Sequence, residues 1–349
     1  MKGRRVAIGL AGLGYWGTNV ARNLARIPGC EPFWCCDVDD ARRGRASSLL
    51  PDARFTTDFD ELLADESLDA VAIATPVPTH VAMAERAIEA GKHCFVEKPL
   101  AQSGADAERV VALAEQRGLV LMVGHLLQFH PGVDALRALI SSGELGELHY
   151  IYSQRLNLGK LRADENALWS LGAHDVSVFL DLTGELPLEV SAHGESYVRE
   201  GVEDVVFGHL RFPSGMVAHM HLSWLDPHKE RRLTVVGSQR MAVFDDMAKE
   251  RKLTVFDKGF DPDADSKGDY VTRSGDARHP TIRGDEPLRL ELEHFVECAR
   301  EGGRPHSDGA SGVRVVRVLE ALQRSLEAGG GSVALVAPSA RSPRAMADQ

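Results

Sequence analysis

Residues 6–17 read VAIGLAGLGYWG, an apolar run that ends in Gly12-x-Gly14-x-x-Gly17. Val20, Leu24 and Ile27 then fall on one face at a helical period. The order is strand, tight turn, helix. In such a turn the first glycine makes the bend, the second lets a diphosphate approach the backbone, and the third lets helix and strand pack closely. Unpaired N–H groups at the positive end of the helix would receive the diphosphate, with Tyr15 and Trp16 inside the same turn. Asp37 closes a second apolar strand, Phe33 to Cys36, at the distance where a carboxylate meets an adenosine ribose. A carboxylate there favours a free 2′-hydroxyl and repels a 2′-phosphate, so NAD is the expected dinucleotide. Arg42 and Arg43, close by in sequence, keep NADP as the alternative.

Outward from this unit, short apolar strands alternate with helices: Arg54 to Thr56, Ala70 to Thr75, His93 to Glu97 and Leu119 to Val123. Six strands of this kind predict a doubly wound parallel sheet, an α/β Rossmann domain over residues 1–123. Thr79 is the expected N-cap of the helix after Thr75, and Ser103 with Asp106 opens the next, which stops at Gly118. Beyond Gly124 the pattern changes. A helix from Gly132 to Ser141 leads into alternating segments: Leu148 to Leu158, Leu188 to Val198, Asp204 to Phe212, Met216 to Leu225, Arg231 to Val236 and Met241 to Phe244. Strands without helices between them predict an α+β domain, residues 124–337, built on a large, mainly antiparallel open sheet. The Gly-, Asp- and Pro-rich stretch from Lys258 to Glu286 reads as a long irregular loop. Two helices, Leu288 to Glu301 and Gly309 to Ala328, follow, then a short strand near Ser332 to Val336; residues 338–349 read as a disordered tail.

A chain of 349 residues exceeds the size at which one core stops growing, in keeping with two domains. The net charge of −11 argues against a nucleic-acid surface. No apolar run is long enough for a membrane span. Five cysteines without C-x-x-C spacing suggest neither zinc nor a disulfide framework, and a reduced, cytoplasmic setting is the simplest reading. His219 and His221 share a strand face, but a third ligand at metal spacing is missing, so no metal is expected. The uncovered face of the open sheet needs a partner, and a homodimer or homotetramer would supply one.

Lys98 lies at the carboxyl end of the His93–Glu97 strand, the edge where open α/β sheets bind ligands. With Glu97 and Pro99 it places charge directly at the cofactor crevice. The glycine turn, Ala74-Thr75-Pro76 with Thr79-His80, Glu97-Lys98-Pro99 and the antiparallel second half together resemble the Gfo/Idh/MocA family of NAD(P)-dependent oxidoreductases. The resemblance spans almost the whole chain, and the EKP motif is its most specific part. It implies that Thr75, Pro76, His80 and Glu97 belong to the cofactor site, and that Lys98 contacts both the nicotinamide region and a substrate hydroxyl.

A second family motif, Asp-x-Gly-x-His, is matched by Ser170-Leu171-Gly172-Ala173-His174. The resemblance gives His174 the catalytic histidine's role, while Ser170 departs from the usual aspartate. Asp175 cannot simply replace it, because adjacent helical residues diverge by about 100°; its expected role is to dock the helix or orient a substrate hydroxyl. Gln128 stands where the family often carries arginine and implies a less anionic contact. Ser153, Arg155 and Asn157 share one strand face. Arg155 is therefore a candidate for a substrate phosphate or carboxylate, with a structural ion pair as its alternative, and Asn157 a candidate substrate contact. Ala167-Leu168-Trp169 and Ser223-Trp224-Leu225-Asp226-Pro227 resemble a subgroup associated with unusual-sugar biosynthesis. The implied activity is hydride transfer between a nicotinamide and a ring hydroxyl or ketone of a sugar, expected to be nucleotide-linked. Reduction of a keto-sugar at the same site, or cofactor binding without catalysis, are the rivals.

Overall fold

The computed structural model describes residues 4–159, 161–162, 165–262 and 268–335. The first layer contains strands β1 (Val6–Ala11), β2 (Cys30–Cys36), β3 (Arg54–Thr56), β4 (Ala70–Ile73), β5 (His93–Glu97) and β6 (Leu121–Gly124). Between them run helices α1 (Tyr15–Leu24), α2 (Arg43–Leu49), α3 (Phe59–Leu63), α4 (His80–Glu89) and α5 (Gly104–Arg117). The strands pair in parallel in the order β3-β2-β1-β4-β5-β6. That order reverses between β1 and β4, so the crevice for a ligand opens above their carboxyl ends. Gly12 has φ +94°, and a Cβ on Gly17 would sit 1.8 Å from the Gly12 carbonyl oxygen. Both positions therefore admit only glycine.

Helix α5 starts as its sequence dictates: the Ser103 hydroxyl accepts from Asp106 N at 3.1 Å, and Gly118 ends it in the left-handed region. The start of α4 differs from the sequence expectation. Its approach, Val77–Thr79, is a 3-10 turn, so the Thr79 hydroxyl donates to the Pro76 carbonyl at 2.8 Å and caps nothing.

Helix α6 (Pro131–Ser141) leads to β7 (Leu148–Leu158), α7 (Ala173–Thr183), β8 (Glu189–Glu195), β9 (Val205–Arg211), β10 (Val217–Ser223), β11 (Leu225–Gly237), β12 (Met241–Asp245), β13 (Leu253–Pro262) and β14 (Tyr270–Arg278). Helices α8 (Pro287–Glu301) and α9 (Gly309–Glu327) and strand β15 (Val333–Ala334) complete the described chain. The nine strands form one sheet ordered β14-β13-β12-β11-β7-β10-β9-β8-β15. It is antiparallel except between β7 and β10.

The stretch from Lys258 to Glu286 corrects the sequence reading, because most of it is the β13–β14 hairpin rather than a loop. Its outer strand, YVTRSGDAR, is almost wholly exposed and so lacks the alternation that marks a half-buried strand. Cross-strand charge holds it instead, Arg273 pairing with Asp257 at 3.1 Å and with Asp261. The expected disordered tail, residues 338–349, lies outside the described residues.

Helix α8 follows the second sheet in sequence but packs in the first layer, where Leu288, Leu292, Phe295 and Val296 join the core of β1, β4 and α1. Phe95 of β5 meets Phe295 with ring centroids 5.7 Å apart. All five cysteines are buried and unpaired. Among the described residues, no helix is long and apolar enough to cross a membrane.

Candidate active site

A cleft of about 860 Å³ lies between the two layers above the glycine turn. Gly14 is the N-cap of α1, and no side chain caps the first N–H groups of the helix. A Cβ on Gly14 would meet nothing within 4 Å. Such a helix start is a cradle for a diphosphate, and the residues present fit a bound dinucleotide. Tyr15 is 86% exposed at the cleft's rim, whereas the Trp16 indole N–H donates inward to Glu97. Asp37 accepts from Leu13 N at 2.7 Å and from Asp39 N at 3.0 Å, which sets its carboxylate beside the turn. Arg42 and Arg43 pair with Asp39 and Asp40 of the same loop, at 3.2 and 2.7 Å.

Thr75 and Pro76 line the cleft at the end of β4. His80 ties this edge together: its ring nitrogens lie 2.8 Å from the Thr75 carbonyl and 2.9 Å from the Pro99 carbonyl, and burial lowers its pKa. Glu97 and Lys98 follow at the end of β5. The Lys98 ammonium donates to the Ser170 carbonyl at 3.0 Å, which joins the EKP strand end to the second domain's helix. Its pKa is lowered by burial, against the raising effect of Glu165 and Glu97.

Residues Leu168–Gly172 form a single π-helical turn that runs directly into α7. The turn presents Ser170, and the start of α7 presents His174, to the cleft together with Lys98. The His174 Nδ1 is buried and without a hydrogen-bond partner among the described residues. Burial first, then the charges of Lys98, Arg155 and Arg231, hold its pKa well below the ordinary histidine value. The imidazole is neutral at physiological pH and able to take a proton. An ammonium and a proton-accepting imidazole facing one cleft form a site for moving a proton on and off a hydroxyl.

Four other sequence candidates lie elsewhere. Arg155 forms a two-pronged bond with Asp175, Nε to Oδ2 at 2.8 Å and the second nitrogen to Oδ1 at 3.0 Å, with both side chains nearly buried. Neither lines the cleft. The pair docks α7 on β7, which is the ion-pair alternative for Arg155 and the docking role expected of Asp175. Asn157 accepts from Arg231 at 2.6 Å, also off the cleft. Gln128 is buried, and its amide donates to the Ser177 carbonyl at 3.4 Å. Its partner is helix backbone, and the side chain does not line the open cleft.

Sequence reading missed several lining residues. Arg162 and Glu165, paired at 2.7 Å, line the cleft, as does Trp169, which the sequence marks only as part of a subgroup resemblance. Asn166 braces them by donating to Glu203 at 2.6 Å and to Gln323 at 2.9 Å. Their only local signal was proximity to the Ser170–His174 motif. His125 is 1% exposed, with neither ring nitrogen partnered among the described residues, and burial and Lys98 push its pKa down to about 3. On the outer sheet face His219 stacks on Tyr152 at 5.2 Å and His221 on Phe207 at 4.4 Å. Among the described residues no group of three or more potential ligands is placed to hold a metal.

Fold and site define a dinucleotide-dependent oxidoreductase. Residues 6–125 match the model of the oxidoreductase family with an NAD-binding Rossmann fold, and residues 133–243 match the Gfo/Idh/MocA C-terminal domain. The chain belongs to the Gfo/Idh/MocA family. It is 28% identical to UDP-N-acetylglucosamine 3-dehydrogenase of Acidithiobacillus ferrooxidans, covering 92% of this chain and 97% of that one. A solved structure of that enzyme superposes with a TM-score of 0.80 over 93% of this chain and 99% of the other, at 26% identity. The scyllo-inositol 2-dehydrogenase (NAD(+)) of Bacillus subtilis is 28% identical, covering 86% of this chain and 87% of that one. GenD2 from gentamicin A biosynthesis, solved in complex with NAD, superposes with a TM-score of 0.80 at 25% identity, over 97% of this chain and 98% of the other.

Proposed function

We propose that this chain reversibly oxidises a ring hydroxyl of a nucleotide-linked sugar, using NAD. The observation that carries the reading is the shared cleft of Lys98 and His174 above the Gly12–Gly17 turn. The nucleotide-linked substrate is favoured by the likeness to a UDP-N-acetylglucosamine dehydrogenase over nearly all of both chains.

The first N–H groups of α1 would hold the diphosphate and Asp37 the adenosine ribose, while Trp16, Thr75, Pro76 and Glu97, which line the cleft, would hold the nicotinamide end. The nicotinamide, when bound, supplies the hydride acceptor for oxidation. His174, kept neutral, takes the hydroxyl proton. Lys98 donates a hydrogen bond to the same oxygen and stabilises the negative charge that develops there. The buried setting strengthens that interaction, because little water competes for the ammonium.

With NAD, UDP-N-acetylglucosamine is expected to be turned over in preference to a free hexose, a sugar phosphate or a cyclitol. In the same titration NADH should bind at least about tenfold tighter than NADPH, the cost of facing a 2′-phosphate with Asp37. Turnover of the cyclitol alone would remove the nucleotide-sugar assignment, and equal or tighter NADPH binding would remove the choice of NAD.

The outer face of the nine-stranded sheet carries Tyr150, Phe207 and the stacked Tyr152–His219 and Phe207–His221 pairs, too much exposed aromatic surface for a sheet facing water alone. We infer that a second copy of the chain covers it. Phe207→Asp should halve the solution mass at micromolar concentration, and a wild-type chain that is already monomeric there would sink the idea.

A further inference from the structure

We propose that Glu291 shares one proton with Glu97, and that this carboxyl pair is a positioning device holding Trp16 and the backbone of Lys98 at the nicotinamide end of the cleft. Register along β5 and α8 brings the two side chains together. Ala299 and Arg300, at the end of α8, line one cavity with Lys92 and His93 at the start of β5. Midway, Phe295 packs on Phe95. Strand and helix therefore run in opposite senses. Two residues further along the same strand face is Glu97, about 7 Å on; one turn back on the same helix face is Glu291, about 6 Å on.

Glu291 is wholly buried, and neither carboxyl oxygen has a hydrogen-bond partner among the described residues. A lone carboxylate in such a place is costly enough that it takes up a proton instead. The charges on the surrounding elements do not relieve it. Arg22 of α1 is held by Glu286, and Arg289 of α8 by Asp285 and Glu293. Strand β1 and the 3-10 turn at Leu126–Phe129 carry no ionisable side chain. His294 of α8 is engaged with Cys298 and His306 N. Among the described residues of these elements, β5 alone presents charge, through Glu97 and the following Lys98.

Glu97 is the complementary half. Its oxygens accept from the Trp16 indole N–H and from Lys98 N at 3.3 Å, and each keeps a lone pair for a further donor. A protonated Glu291 supplies that donor. With one proton between them, the pair carries a single negative charge next to the single positive charge of Lys98. Burial pushes Glu291 well above the ordinary carboxyl range and Glu97 up to about 7. The sign follows: a carboxyl whose folded pKa is raised binds more protons folded than unfolded, so its penalty on stability grows upward from the ordinary value of 4.5 and, for Glu97, levels off above about 7.

The test uses the full-length protein and compares Glu291→Gln, which keeps a neutral donor, with Glu291→Leu, which has none. In infrared difference spectra at pH 8, above the point at which Glu97 ionises, wild type minus Glu291→Gln should show the carbonyl stretch of one protonated carboxyl, shifted in deuterium oxide. Glu291→Leu should raise the KM for NAD by about tenfold, the scale of one lost buried hydrogen bond to a charged group, with Glu291→Gln restoring it. Absence of the protonated-acid band, or equal cofactor KM values in wild type and both variants, would overturn the proposal. If Glu291→Leu does not fold, the infrared comparison still decides. The positioning role rests on the proposed cofactor site, but the infrared reading needs neither cofactor nor sugar, so a wrong substrate assignment leaves it standing.

Discussion

Lys98→Met is expected to lower kcat for sugar oxidation by about 10²–10⁴-fold while changing the Kd for NAD less than about threefold. Methionine keeps most of the stem's volume but removes the ammonium, its bond to the Ser170 carbonyl and its hydrogen bond to the reacting oxygen. The loss falls on the transition state because the charge on that oxygen exists only while the hydride is leaving. Stopped-flow detection of NADH in a single turnover separates this from slow product release. A variant that turns over within about tenfold of wild type would take Lys98 out of the chemistry.

His174→Ala is expected to cost a similar factor, about 10²–10⁴ in kcat/KM, and to change the shape of the pH profile as well. His174 must be neutral to accept the hydroxyl proton. Its pKa is lowered, so the neutral form persists to acidities well beyond those that protonate an ordinary histidine. The acid limb of kcat/KM in the wild type should therefore lie below pH 6.5, the ordinary value, and should vanish in the alanine variant. A limb at or above pH 6.5 in the wild type, or one that survives in His174→Ala, would assign the base to another group.

The parts of this account that were legible in the sequence are those with a short-range signature. The glycine turn, the alternation of apolar strands with helices and the EKP strand end are each set by local backbone or burial requirements. They place Gly12, Gly14, Gly17 and Lys98 on the crevice edge before any coordinates are known. The β13–β14 hairpin was not legible because its outer strand buries almost nothing and is held by charge across the ladder. Arg155 and Asp175 illustrate a different limit. Each residue alone suits a substrate, and only their meeting across 20 positions of sequence shows that they pair with each other. Glu291 is hidden for a third reason: in LRLELEHF a glutamate looks like the solvated face of an amphipathic helix. It is the helix's return to the first layer, after the chain has built a whole second sheet, that turns that face inward. Likewise Arg162, Glu165 and His125 gain their place only through the crossing of the two layers.

The central claim is that one substrate hydroxyl meets both the Lys98 ammonium and the His174 imidazole beside the nicotinamide. A crystal structure of the full chain with NAD and UDP-N-acetylglucosamine tests it directly. The expected result is a single ring oxygen within about 2.6–3.2 Å of both Lys98 Nζ and a ring nitrogen of His174, its carbon facing the nicotinamide. A sugar seated with either group turned away from its hydroxyls, or bound outside this cleft, would contradict the account.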